Sequence, residues 1–211
     1  MELYGYFRSS AAYRVRAALH LKGLDYVSLP VSLLAGDHKG DAYLKLNPQG
    51  FVPFLRDDDK AFGQSLAMLE YLEENYPQAP LLPGDSAGRA RVRQMAGIIA
   101  CDIHPLDNLR VLKYLTQTLG VTEEQKTAWY HHWIIEGFTA LETLLSDPAT
   151  GDFCHGDSPT FADLCLVPQV YNARRFNCPL DGFPHILRIV DNCNKLDAFI
   201  AALPENQPDA T

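Results

Sequence analysis

The spacing of apolar residues changes period several times in the first eighty positions. Residues 2–7 alternate and are rich in aromatics, which predicts a buried strand. Ser9-Ser10 interrupt the run, and residues 11–22 then carry apolar side chains at helical spacing. Gly23 follows, suited to the left-handed position that ends a helix. Residues 26–31 read as a second strand. Residues 52–55 and 60–63 flank Asp57-Asp58-Asp59 and predict a hairpin. Residues 64–76 put Leu66, Leu69, Leu72 and Tyr76 on one helical face. The order strand, helix, strand, short helix, hairpin, helix predicts a small α/β domain over residues 1–80.

Residues 77–88 contain Pro77, Pro80, Pro83, Gly84 and Gly88 and read as a linker. Beyond it strand signals nearly vanish. Residues 89–119 and 123–145 predict long helices, and 160–176 and 184–202 shorter ones. Thr160-Phe-Ala-Asp163 matches a capping box, in which the side chains at both ends satisfy each other's backbone amides. Residues 204–211 read as a frayed tail. An all-helical domain over residues 87–211 is the expectation.

Composition narrows the class without choosing a function. The 211 residues are 47% hydrophobic and 21% charged, ordinary for a globular protein. At this length roughly 70% of the unfolded surface can be buried, so no disulfide or metal staple is needed. Lys and Arg number 18 against 26 Asp and Glu, a net charge of −8. Through Pro80 the chain holds 8 basic and 10 acidic residues, and beyond it 10 and 16. Neither half is basic, which argues against nucleic acid as a partner. An anionic ligand must be held by a few local arginines against the global field. The opening Met1-Glu-Leu-Tyr-Gly-Tyr lacks the flank and apolar run of a signal peptide, and no run approaches the ~20 apolar residues of a membrane span. Cys101, Cys154, Cys165, Cys178 and Cys193 form no CxxC pair, which favours reduced, mostly structural thiols and a cytoplasmic location.

Three features of the first domain carry candidate chemistry. Arg8-Ser9-Ser10 falls where the first strand meets the first helix. Hydroxyls there share a direction with the orphan amides of the helix, and both favour an anion such as a thiolate. One serine acting only as an N-cap is the simpler reading. Asn47-Pro-Gln-Gly-Phe-Val-Pro53 suggests a fixed turn, with either a cis Val52–Pro53 bond that leaves the Val52 backbone to an extended ligand or an ordinary loop proline. Gln64-Ser65 opens a helix and offers amides, a hydroxyl and a positive dipole end to a carboxylate; a plain Ser65 cap is the alternative. A ligand with a thiol, a peptide strand and a terminal carboxylate satisfies all three, and glutathione has these groups.

The run Phe7-Arg-Ser-Ser-Ala-Ala-Tyr-Arg-Val-Arg-Ala-Ala-Leu19 resembles the signature of zeta-class glutathione transferases, shared with maleylacetoacetate and maleylpyruvate isomerases. The likeness continues through Leu46-Asn-Pro-Gln-Gly-Phe-Val-Pro-Phe-Leu55, Gln64-Ser65 and Cys101-Asp-Ile-His-Pro-Leu-Asp-Asn-Leu-Arg110. It resumes at Gly156-Asp-Ser-Pro-Thr-Phe-Ala-Asp163 and Val167-Pro-Gln-Val170. The resemblance implies a thioredoxin-like domain followed by a helical bundle, a cytoplasmic homodimer, and glutathione as cofactor. It implies that Ser9 holds the thiolate with Ser10 beside it, that His38 lies near the glycyl end, and that Val52 pairs with the cysteinyl backbone. Gln64 and Ser65 then hold the γ-glutamyl carboxylate, and His104, Asn108 and Arg110 complete the site from the helical domain. Ala11 departs from the family, whose members usually carry cysteine there.

Arg8 precedes the hydroxyl pair and is a catalytic candidate with Ser9 and Arg175. By the same resemblance Arg110 and Arg175 match substrate-side positions, where a guanidinium suits a carboxylate through paired hydrogen bonds. Arg174 and Arg175 sit about 100° apart on a helix, so both cannot enter one pocket. His131-His132 diverge likewise, and no metal site is expected. The function implied is glutathione-dependent cis–trans isomerisation of a maleyl-type dicarboxylate keto acid. A broader transferase that conjugates electrophiles and a non-catalytic glutathione-binding module are the alternatives.

Overall fold

The structure, a computed structural model, describes residues 1–210; Thr211 lies outside the described residues. The elements begin β1 (Glu2–Gly5), α1 (Ser10–Leu21), β2 (Val27–Pro30), α2 (Asp41–Leu46), β3 (Phe54–Asp57), β4 (Lys60–Gly63) and α3 (Ser65–Asn75). They continue as α4 (Ser86–Gly97), α5 (Leu109–Gln117), α6 (Glu123–Leu144), α7 (Phe161–Arg175), α8 (Pro184–Cys193) and α9 (Asp197–Ala202). Two compact units form. One joins residues 1–81 to those from Asn194 onward, and the other is residues 82–193.

In the first unit the strand order is β2-β1-β3-β4. β1 runs parallel to β2 and antiparallel to β3, and β3 pairs antiparallel with β4. A parallel pair needs a crossover, which α1 supplies. The hairpin turns where the acidic triplet predicted it, with Asp58 at φ 52°. α1 stops as expected: Gly23 has φ 64°, and its N–H and that of Leu24 bond the carbonyls of His20 and Leu19. Leu3, Val15, Leu19, Leu55, Leu69 and Leu72 are buried, each stabilising the fold by roughly 1.5–3 kcal/mol. Lys22 ends in a buried ion pair with Glu73 at 2.9 Å and also donates to the carbonyls of Tyr76 and Ala79. Glu73 accepts from the Leu81 N–H as well, which ties the start of the linker to α1 and α3.

Residues 184–202 do not form one helix, and the expected 87–211 domain does not close on itself. α8 ends at Cys193, and α9 packs against α1 in the first unit. α1 carries apolar and polar groups on a second buried face. Phe199 and Ala202 are buried there, Tyr13 donates to the Phe199 carbonyl at 3.2 Å, and Arg16 donates to that of Ala202. Nor is the following segment frayed through residue 210. Pro204–Asn206 forms a 3-10 turn, and the buried Gln207 side chain donates to the carbonyls of Ala201 and Leu203.

In the second unit the helix expected over 89–119 breaks. α4 passes into a π-helical turn, Ile98–Ile103, whose register carries the His104 N–H to the Ile99 carbonyl. Pro105 follows and cannot continue the ladder. Ile103 approaches α6 so closely at Gly137 that a Cβ there would force the Ile103 side chain to shift. α7 begins at the predicted capping box: buried Asp163 accepts from the Thr160 N–H at 2.8 Å, from its hydroxyl at 2.7 Å, and from the Cys154 N–H at 2.8 Å. No helix among the described residues is long and apolar enough to cross a membrane.

Candidate active site

The turn between β1 and α1 is closed by the Ser9 N–H on the Tyr6 carbonyl at 2.9 Å. Half-buried Ser9 is the N-cap of α1, its Oγ accepting from the Ala12 N–H at 3.2 Å. The capping reading is therefore correct, and it leaves the anion reading intact. Capping uses an oxygen lone pair, so the hydroxyl hydrogen can still be donated. It sits at the positive end of α1, where a thiolate is favoured. Ser10 is buried as the first residue of the helix. Arg8 is half-buried, its guanidinium 4.6 Å over the Phe7 ring.

Among the remaining first-unit candidates, the start of α3 and the 47–53 loop are joined by a hydrogen bond. Gln64 precedes α3 with φ 67°, a left-handed conformation rare for a side-chain-bearing residue. Holding it costs about 1–3 kcal/mol and marks a position fixed by its surroundings. Its amide donates to Gln49 Oε1 at 2.7 Å, joining the helix start to the 47–53 loop. That loop is pinned by Tyr43 and Asn47, both donating to the Phe51 carbonyl. Gly50 at φ 62° is a second required glycine, since a Cβ there would meet the His38 carbonyl at 2.8 Å. The Val52–Pro53 bond is cis, and Val52 packs on the cluster of Val31, Tyr43 and Phe54.

Behind Ser65 lies a residue that the motif reading missed. Arg14, 2% exposed, donates from Nη1 to Ser65 Oγ at 3.3 Å, while its Nε and Nη2 have no partner. A buried cation with unspent donors behind a helix amino terminus suits an anion at Ser65. Glutathione thus fits the residues present, with a carboxylate site at Gln64-Ser65 and a thiolate site at Ser9. The signal in the sequence was a pair of arginines, Arg14 and Arg16, inside an otherwise apolar helix.

The second unit gathers its candidates near the helical break. His104 follows the π-helical turn, and Asn108 caps α5 by accepting from the Arg110 N–H at 3.1 Å. Between them Asp107 is buried with both carboxyl oxygens unpartnered, and burial pushes its pKa up to about 8. Tyr130 lies within electrostatic reach of both Asp107 and Arg175, and burial raises its own pKa. Its ring stacks on Phe176 at 4.0 Å, and Arg175 lies 5.0 Å over that same ring. Arg175 ends α7 beside this cluster, whereas Arg174 turns toward Asp191 at 3.9 Å. His131 reaches the Phe176 carbonyl and His132 reaches Glu136. Among the described residues no three His, Cys, Asp or Glu side chains gather as a metal cluster.

A mixed four-stranded sheet with its cis-proline loop, followed by a helical unit, defines a thioredoxin-like glutathione-binding class. The chain belongs to the glutathione S-transferase family, in its zeta class. The family model for the glutathione S-transferase N-terminal domain matches residues 3–80, and that for the C-terminal domain matches 135–197. Maleylacetoacetate isomerase of Pseudomonas aeruginosa is 50% identical over 212 residues, covering 99% of this chain and 98% of the relative. The holo structure of maleyl pyruvate isomerase, a bacterial zeta-class glutathione S-transferase, matches with TM-score 0.98 at 47% identity over 100% of both chains. Maleylacetoacetate isomerase from Methylobacterium extorquens AM1, with bound malonate and glutathione, matches with TM-score 0.97 at 41% identity over 100% of both.

Proposed function

We propose that the chain is a glutathione-dependent isomerase that converts a maleyl-type keto acid, maleylacetoacetate or maleylpyruvate, to its trans, fumaryl isomer. Glutathione supplies the sulfur nucleophile that adds to the cis double bond and leaves again after rotation. The observation that carries the reading is the Ser9 hydroxyl at the amino end of α1, with its hydrogen free to hold a thiolate. The full-length likeness to isomerases directs that thiolate toward a maleyl double bond.

The chain's own residues bind and polarise. Ser9 donates to the thiolate, with Ser10 beside it, and the α1 amides keep the sulfur ionised. Gln64 and Ser65, backed by Arg14, hold the γ-glutamyl carboxylate. Val52 offers its backbone to the cysteinyl residue, and His38 lies at the glycyl end. His104, Asn108 and Arg110 complete the ligand site. Arg8 and Arg175 grip substrate carboxylates, and a fixed cation beside the oxygen that gains charge lowers the barrier. The enzyme works as a cytoplasmic homodimer in aromatic-compound or tyrosine catabolism. The reacting sulfur belongs to glutathione, so Ala11 at the family's cysteine position need not abolish isomerisation.

The test is isomerisation of both substrates with and without glutathione, alongside Ser9→Ala. Activity should require glutathione, and Ser9→Ala should lower turnover roughly ten- to a hundredfold, as expected for one hydrogen bond to a charged group. Full turnover without glutathione, or an unaffected Ser9→Ala variant, overturns the mechanism.

A further inference from the structure

Phe7 is the second residue of the turn Tyr6–Ser9, and both of its backbone polar groups are held by side chains. Its N–H donates to Asp209 Oδ2 at 3.0 Å, across 202 positions of sequence. Its carbonyl accepts from Arg16 Nη2 at 3.0 Å. Arg16 is itself fixed, since its Nε and Nη2 reach the Ala202 carbonyl at the end of α9 at 3.1 and 3.0 Å. Asp209 is placed just as firmly. Gln207, two residues before it, is buried and bonded to Ala201 and Leu203, and the Ala210 N–H closes a turn on the Gln207 carbonyl at 3.0 Å. The Phe7 ring is buried, so an unmet N–H there could not turn to water at no cost.

We propose that Asp209, together with Arg16, is a positioning residue for the catalytic turn: by fixing Phe7 it sets where the following Arg8 and Ser9 point. The inference rests on the assignment of Ser9 as the hydroxyl that holds the thiolate. The backbone of Arg8 and Ser9 is braced on three sides, by the Tyr6–Ser9 bond, by α1 and by Phe7. Of these only the Phe7 anchors come from outside the turn and the first turn of α1. Releasing one lets the turn rock about the helix start, which moves a hydroxyl whose hydrogen bond depends steeply on angle. A side-chain oxygen is what the Phe7 N–H requires, so asparagine should serve where alanine cannot.

The experiment compares the full-length enzyme with Asp209→Ala, Asp209→Asn and a variant lacking residues 208–211. Amide exchange at Phe7 and Ser9 is read without glutathione, and the thiol of bound glutathione is titrated by its ultraviolet absorbance. Turnover and the Michaelis constant for glutathione complete the comparison. Asp209→Ala and the deletion should speed Phe7 exchange about tenfold and lower kcat about tenfold. They should raise the bound thiol's pKa and leave the glutathione Michaelis constant within about twofold, because the carboxylate site at Gln64-Ser65 is untouched. Asp209→Asn should restore exchange, titration and kcat together. Faster exchange with an unmoved thiol titration and kcat would reduce Asp209 to a structural clamp and overturn the proposal, as would parent-like exchange in Asp209→Ala. Failure of the Ser9 assignment reads differently: Ser9→Ala would then leave the thiol titration unchanged in the parent background.

Discussion

The two units build their candidate ligand groups in different ways. In the first, Ser9, Gln64 and Ser65 sit at helix starts and each is held by a hydrogen bond within the unit. Ser9 and Ser65 are held by the buried Ala12 and Arg14, and Gln64 by the exposed Gln49. In the second, Arg110 in the first turn of α5 and Arg175 at the end of α7 are exposed long side chains, and the buried Asp107 carboxyl just before α5 has no hydrogen-bond partner. A tripeptide of fixed structure suits a site whose donors are backbone amides and short hydroxyls with little freedom to lose. Carboxylates on substrates of differing length suit flexible guanidinium groups, which reach their partners at an entropic cost. The division is thus between short, locally fixed groups in the first unit and long, exposed ones in the second.

That division can be broken most forcefully at the buried pair of the first unit. Glu73→Ala strands the Lys22 ammonium, whose side chain is 0% exposed, and should cost about 3–5 kcal/mol in urea unfolding. The Lys22→Met, Glu73→Leu double variant should recover most of it. A loss below about 1 kcal/mol for Glu73→Ala would mean that the rigidity of this unit lies elsewhere.

A smaller effect is expected at Arg175. Arg175→Ala should raise the Michaelis constant for maleyl keto acids roughly tenfold or more, the value of a charged hydrogen bond, and spare that for glutathione. Arg174→Ala should be close to neutral, since Arg174 faces Asp191. Equal losses with an uncharged electrophile would make Arg175 structural and blur the contrast between the units.

The smallest effect belongs to Asp107, and it depends on pH. Burial raises its pKa to about 8, so between about pH 4 and 8 the folded form keeps a proton that the unfolded form has lost. Unfolding then releases a proton, and stability falls as pH rises through that window. Asp107→Asn removes the titration and should stabilise the protein by about 1–3 kcal/mol at pH 8, and by less at pH 5. Denaturant midpoints at the two pH values provide the check. An equal gain at both would show that Asp107 finds a partner on ionising.

What was legible in the sequence was local. Alternation gave β1, Gly23 marked the end of α1, the aspartate triplet placed the hairpin, and Thr160 with Asp163 announced α7. Each signal rests on neighbours within a few residues. The break at Ile98–Ile103 was hidden because a π-helical turn keeps apolar spacing nearly helical. The separation of α8 from α9 was hidden because both halves are amphipathic and only tertiary packing assigns them to different units. Of the candidate site, hydroxyl and amide positions could be read from motifs. Arg14 and Asp209 could not, because their partners lie 51 and 202 positions away.

The discontinuity of the first unit also has a consequence during synthesis. Domains form as their residues emerge from the ribosome, earlier ones first. Here the order is inverted. The unit of residues 82–193 has all of its chain before the unit that begins at Met1, which waits for α9 and Asp209. Until then the α1 face around Tyr13 and Arg16 lacks its cover, and the turn bearing Ser9 lacks its brace. A nascent chain stalled before α9 therefore carries every residue assigned to glutathione but lacks the Asp209 anchor on Phe7, so on the positioning role proposed for Asp209 the power to ionise the bound thiol arrives later than the binding residues themselves.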